Sequence, residues 1–272
     1  MDSDVLKRAK ALLGTSSEVK SGTKLLHTEN EDARKVLNSA MSVLQRSAGN
    51  LDVYIAFDTT ESMRPYIETV RRNIGVVTDA LLGESMRISL NGIADHCDRQ
   101  RWIQIHKLSD NSQKVKRALE SIVIVNGGDI PEAYECLALH LAERIPQESS
   151  ENKRAVVLVG DSIPHGMPQS RYRDDGCPQH VDYARAFEAM RKVCHGFYFV
   201  GCDPQNYDLQ RELVGQSPTN RFVPLGSMVE ILPQLLVAMA KKTESPKAYS
   251  NYIKQLEAQD PSKARKVAGL LT

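Results

Sequence analysis

What this 272-residue chain lacks narrows its identity first. It has no surplus of either charge: 35 Lys and Arg stand against 34 Asp and Glu, a net charge of +1. A nucleic-acid binder would carry a basic excess, so no nucleic-acid partner is expected. No apolar run approaches the roughly 20 residues that span a bilayer, so no membrane partner is expected either. The charged opening, Met1-Asp-Ser-Asp-Val-Leu-Lys-Arg8, lacks the apolar core of a secretory signal. Five cysteines, Cys97, Cys136, Cys177, Cys194 and Cys202, show no framework spacing. That suits reduced thiols and a cytoplasmic protein. No internal repeat or low-complexity tract stands out.

What is present is an alternation of strands and helices. Hydrophobic content of 41% and charged content of 25% are those of a globular protein. The apolar run Leu51 to Phe57 ends in Asp58, followed by Thr60 and Ser62. A helical stripe then runs through Met63, Ile67, Val70, Ile74, Val77 and Leu81, closed by Gly83. Pro65 falls in its first turn, where no N–H is needed. Residues 86–95 read as a second strand and 102–105 as a third. So few residues join them that an antiparallel pair is expected. Ala155 to Gly160 is an unbroken apolar run suited to a central strand, and 196–201 and 222–225 supply two more. Helical patterns cover 112–122, a stretch from Tyr134, 181–194, 206–214 and 228–239. The pattern predicts an α/β fold: a doubly wound, mostly parallel six-stranded sheet, Rossmann-like, with one antiparallel edge strand. Residues 1–49 read as a helical N-terminal extension, 50–242 as the main domain, and 243–272 as a basic helical tail.

Three loops pair acids with Gly, Pro or hydroxyl residues at helix entrances: 58–62, 127–132 and 161–166. With strands one and four adjacent at the switch point, Asp58 and Asp161 fall side by side. Asp129 adds a third carboxylate, and Thr60 and Ser62 add hydroxyls. Three unpaired carboxylates repel, and a cation neutralises them. All-oxygen ligands select a hard ion, Mg²⁺ first, with Mn²⁺ or Ca²⁺ as alternatives. The plainer reading of Asp58, Thr60, Ser62 and Asp129 is helix capping. Glu132 suits a helix dipole or a bridging water. Asp95 and His96 at the end of strand two, and Ser162 and His165 after strand four, are candidates for the rim or support of the site. Cys177-x-x-His180 has the spacing of half a zinc site with no second half in view.

These motifs resemble a von Willebrand factor A (VWA) domain over residues 50–242. The D-x-S-x-S of that family's metal-ion-dependent adhesion site is similar to Asp58-Thr59-Thr60-Glu61-Ser62. Asp129 within Gly-Gly-Asp-Ile-Pro-Glu-Ala matches the second loop and Asp161 the third. Asp95-His96-Cys97-Asp98 and the Pro-His165-Gly stretch look like those of alpha-kinase-type VWA domains, though nothing suggests a kinase domain. The resemblance implies that Thr60 and Ser62 ligate Mg²⁺ through their hydroxyls. Asp58, Asp129 and Asp161 would join directly or through water, and an acidic residue of a protein partner would complete the shell. The chain departs from the family at Thr60, where serine is usual, and at Glu61, where glycine is usual. Thr60 keeps the hydroxyl. Glu61 puts a rim acid in competition with an acidic ligand.

No nucleophile–base pair is apparent, so catalysis is not expected. Gly160-Asp161-Ser162 superficially resembles the block of GDS-type esterases, but the last histidine is His195, well short of the C-terminus. Haloacid-dehalogenase-type phosphatases want an acid two residues after the first, where this chain has Thr60. The expected function is a metal-dependent protein–protein interaction module within a larger assembly. The alternative is a structural adaptor that binds through its terminal helices.

Overall fold

The computed structural model describes residues 50–82, 86–127, 131–149, 151–168 and 176–272. The helices predicted within 1–49, and Asp129, lie outside the described residues. The elements run β1 (Leu51–Asp58), α1 (Arg64–Arg72), α2 (Ile74–Leu82), β2 (Arg87–Ile93), β3 (Ile103–Ile105) and α3 (Ser112–Ser121). Next come α4 (Tyr134–Glu148), β4 (Lys153–Gly160), α5 (Tyr183–Val193), β5 (Gly196–Gly201), α6 (Tyr207–Val214) and β6 (Arg221–Pro224). Three helices close the chain, α7 (Leu232–Glu244), α8 (Pro246–Gln259) and α9 (Pro261–Leu271). The sheet order is β3-β2-β1-β4-β5-β6, parallel throughout except where β3 pairs antiparallel with β2. This is the doubly wound α/β fold expected from the strand–helix alternation.

Side chains alternate across the sheet with period two, and each face builds its own core. On β1, Leu51, Val53, Ile55 and Phe57 face one side; Tyr54 and Ala56 face the other. The first core takes residues from α1, α2, α3, α7, α8 and α9, and the second from α4, α5 and α6. The helical stripe expected as one rod from Met63 to Leu81 is broken at Asn73. There the side-chain amide donates to the Thr69 carbonyl at 2.8 Å, and φ of −116° leaves the helical range.

The stretch after Thr243, which reads as polar in sequence, is docked rather than solvated. Leu256, Ala264, Val267 and Leu271 are buried in the same core as β1. Ser245 and Asp260 cap α8 and α9, accepting from the amides of Ala248 and Lys263 at 3.0 Å each. Burying a Leu or Val side chain contributes about 1.5–3 kcal/mol, so this docking is worth several such increments. Among the described residues no helix is long and apolar enough to cross a membrane.

At the amino end of β1, Asp52 is fully buried. Arg87 grips both its oxygens, at 2.7 and 2.6 Å, Asn152 donates at 3.1 Å, and Ser149 Oγ adds a further bond.

Candidate functional site

The carboxyl end of β1 delivers Asp58 into the interior, with no solvent exposure. Its Oδ1 accepts from the Thr60 amide at 2.8 Å and the Thr60 hydroxyl at 2.6 Å. Its Oδ2 accepts from the Tyr134 hydroxyl at 2.5 Å. Every donor is neutral. Burial, and then repulsion from Asp161, push the Asp58 carboxyl up to about 7, against the pull of the Thr60 and Tyr134 bonds.

Above Asp58 the hydroxyls of Thr60 and Ser62 lie 3.2 Å apart. They open onto a cleft of about 480 Å³ that Glu61, Asn126, Gly127, Glu132, Asp161, Ser162, Asp203 and Asn206 also line. Four of these are acids, and no Lys or Arg is among the described lining residues. Glu132 is 3% exposed, and its Oε2 has no hydrogen-bond partner among the described residues. Burial, with Asp58, Asp95, Asp98 and Asp161 around it, pushes this carboxyl up to about 11. Ser162 Oγ is also buried, without a partner among the described residues.

Backbone bonds hold the loops in place. The Thr59 amide donates to Ile93 O at 2.7 Å, Val125 N to Thr59 O at 2.9 Å, and Glu132 N to Ile163 O at 2.9 Å. Gly127 has φ of +64° and sits against Thr60, where a Cβ would come within 3.2 Å of Thr60 Cγ2. A Cβ at Gly160 would fall 2.2 Å from the Tyr134 hydroxyl, so only glycine at the end of β4 lets that tyrosine reach Asp58.

The structure thus brings Thr60, Ser62, Glu132, Asp161 and Ser162 to one cleft, with Asp58 buried beneath it and bonded to Thr60. Glu61 stands half exposed on its rim, its carboxylate held in a two-bond fork by Arg64 at 2.6 Å, which also lowers its pKa. The rim acid therefore carries its own counter-charge. Asp95, His96 and His165 are not among the cleft-lining residues. Asp95 accepts from the Cys97 amide at 3.2 Å and closes a capping box with Asp98. His165 bridges two acids, with Nε2 3.1 Å from Asp95 Oδ1 and Nδ1 3.2 Å from Glu135 Oε1. Burial opposes its charge, but those two carboxylates outweigh it and raise the imidazole to about 10. His180 is exposed with φ of +57°, and the Cys177 thiol is instead 3.5 Å from both Cys136 Sγ and His96 Nε2.

Sequence reading missed Tyr134, which looked like one more apolar position on its helix. The signal available was Gly160, a glycine ending a strand that otherwise favours β-branched residues. Asp203 and Asn206, after β5, were missed as well. Asp203 caps the following turn through Gln205 N at 3.0 Å, and Asn206 donates to Asp161 O at 2.7 Å.

No protein-family model matches the chain, and neither does any curated protein. Among solved structures it is similar to the pilus adhesin SpaC of Lactobacillus rhamnosus GG in an open conformation. The identity is 16% and the TM-score 0.51, over 72% of this chain. A second SpaC structure gives 14% and 0.52 over the same 72%. The chain spans only 30% of the adhesin's length. At these identities the likeness is one of fold.

Proposed function

We propose that this chain is a VWA-type, non-catalytic interaction module that holds a divalent cation, Mg²⁺ in preference to Mn²⁺ or Ca²⁺, in the acid-lined cleft and binds an acidic group of a protein partner there. The observation that carries the reading is the pair of hydroxyls, Thr60 Oγ1 and Ser62 Oγ, 3.2 Å apart above a buried aspartate, in a cleft whose described lining has no basic side chain. The orphaned Glu132 Oε2 and Ser162 Oγ, and the raised acids, fit a site whose missing charge is positive and whose donors are all oxygen.

Thr60, Ser62, Asp58 and Asp161 are the residues that would hold the ion, with Asp129 as the sequence-derived fifth. A bound hard cation supplies an electrophilic position for a carboxylate. The chain's own groups do the rest. Tyr134 and the Thr60 amide fix the rotamer of Asp58, and Asn206 fixes the backbone of Asp161. Arg64 holds the Glu61 carboxylate at the rim, so an incoming acid meets a neutralised pair.

Calorimetric titration of Mg²⁺ into the wild type and Asp58→Ala tests the reading. Heat in the wild type alone is expected; equal heats, or none in either, would sink it. Recovery of partner proteins from cytoplasmic extract, with and without EDTA, then tests partner binding and membership of a larger assembly. The adaptor reading survives best in residues 1–49, because the apolar sides of α8 and α9 are already spent on the core. Deleting 1–48 while retaining Mg²⁺ heats separates the two.

A further inference from the structure

Away from the oxygen-lined cleft, four side chains with softer metal-binding atoms converge where three stretches of chain meet. His96 stands on the turn after β2, Glu135 and Cys136 lie in the first turn of α4, and Cys177 is on the loop before α5. Glu135 is fully buried, and Cys136 and Cys177 are 7% and 8% exposed. Cys136 Sγ lies 3.5 Å from Cys177 Sγ, and each sulfur lies 3.5 Å from His96 Nε2. Glu135 Oε1 is 3.6 Å from His96 Nε2 and 3.7 Å from Cys136 Sγ. All four ligand atoms fall within 4.8 Å of one another.

Those spacings decide between the available explanations. A tetrahedral ion with sulfur ligands near 2.3 Å and nitrogen or oxygen ligands near 2.0–2.1 Å needs ligand-to-ligand edges of roughly 3.3–3.8 Å. Five of the six edges, 3.5 to 3.7 Å, lie in that window. A disulfide needs the sulfurs at about 2.05 Å, far inside what is seen. A hydrogen-bonded cluster alone would spend two weak thiol donors on a buried carboxylate and an imidazole.

We propose that His96, Glu135, Cys136 and Cys177 bind one zinc-class divalent ion in tetrahedral coordination, clipping the turn after β2, the start of α4 and the loop before α5 together. Two sulfurs and an imidazole select zinc over Mg²⁺, so this site and the cleft sort their ions by donor chemistry. Four protein ligands make it a closed, structural site. The outer contacts are in place as well. The His165 amide donates to Glu135 Oε2 at 3.1 Å, and its ring lies against Oε1. Trp102 holds the His96 ring at 4.5 Å between centroids. Burial pushes both thiols up, so loading the site expels their protons. Glu135 lies one residue past Tyr134, so the clip braces the helix start that carries the Asp58 bond.

The test uses the full chain, purified in reductant without chelator. Elemental analysis is expected to find about one zinc per chain. After removal of zinc, Co²⁺ should restore the visible bands of tetrahedral cobalt together with thiolate-to-cobalt charge transfer. Cys177→Ser and His96→Ala, checked for fold by circular dichroism, should lower zinc affinity by about tenfold or more. Zinc content unchanged in Cys177→Ser would overturn the proposal by placing the ion elsewhere. So would a Cys136–Cys177 disulfide in the reduced preparation, or a wild type that takes up Co²⁺ without thiolate charge transfer. Should the variants fail to fold, the wild-type cobalt spectrum decides alone.

Discussion

The two ends of β1 treat the same residue type in opposite ways. Asp52 and Asp58 are both fully buried. Asp52 meets a guanidinium fork and two neutral donors, and the protein settles its charge internally. Among the described residues Asp58 meets only neutral donors, with Asp161 and Glu132 for neighbours. A buried carboxylate with no counter-charge costs several kcal/mol. The amino end is a lock; the carboxyl end has no counter-charge among the described residues.

The largest effect is expected at the lock. Asp52→Ala removes one partner of a buried pair and should cost about 3 kcal/mol in chemical denaturation, with or without Mg²⁺. At the other end, Asp58→Asn removes the uncompensated charge, so the metal-free protein should be at least as stable at neutral pH, and the Mg²⁺-linked gain should vanish. If the cleft holds the ion as proposed, that gain in the wild type should be about 2.7 kcal/mol at a hundredfold excess over Kd, read as a shift in thermal midpoint. The same variant tests a pH effect. An acid raised from 3.8 to about 7 by burial and Asp161 contributes stability that is fully present below 3.8 and lost as pH rises through about 7. Chelated wild type should therefore weaken between pH 4 and 7, and Asp58→Asn should show a shallower slope. Gly160→Ala should cost about 2 kcal/mol in denaturant midpoint by driving Tyr134 off Asp58, and should weaken Mg²⁺ heats as well. The smallest change belongs to Glu61→Gly. It removes an exposed pair, and the melting temperature should stay put while any difference appears in partner affinity alone.

The strand order and the antiparallel β3 were legible because buried parallel strands read as continuous apolar runs and because a short connection forces reversal. The loops carrying Asp58 and Asp161 were legible for the same reason, since strand ends fix where acids go. Tyr134 was not, because a phenol reaching across the sheet edge looks, in periodicity, like any apolar helix position. The Cys136–Cys177–His96 grouping was not legible either. Its members are 41, 81 and 40 residues apart, and only the closed fold puts them together. The break at Asn73 and the docked C-terminal helices were hidden by a local side-chain bond and by an apolar seam too sparse to outweigh the lysines around it.

That seam has a consequence for synthesis. One face of the sheet is finished only by Val267 and Leu271, more than two hundred residues after β1. A ribosome that has just released β6 holds a nascent sheet whose future helix α7 has no cover on its outer side. Since domains tend to fold as units during translation, the cleft end can assemble early, while the face under α7 is covered only once α9 has emerged.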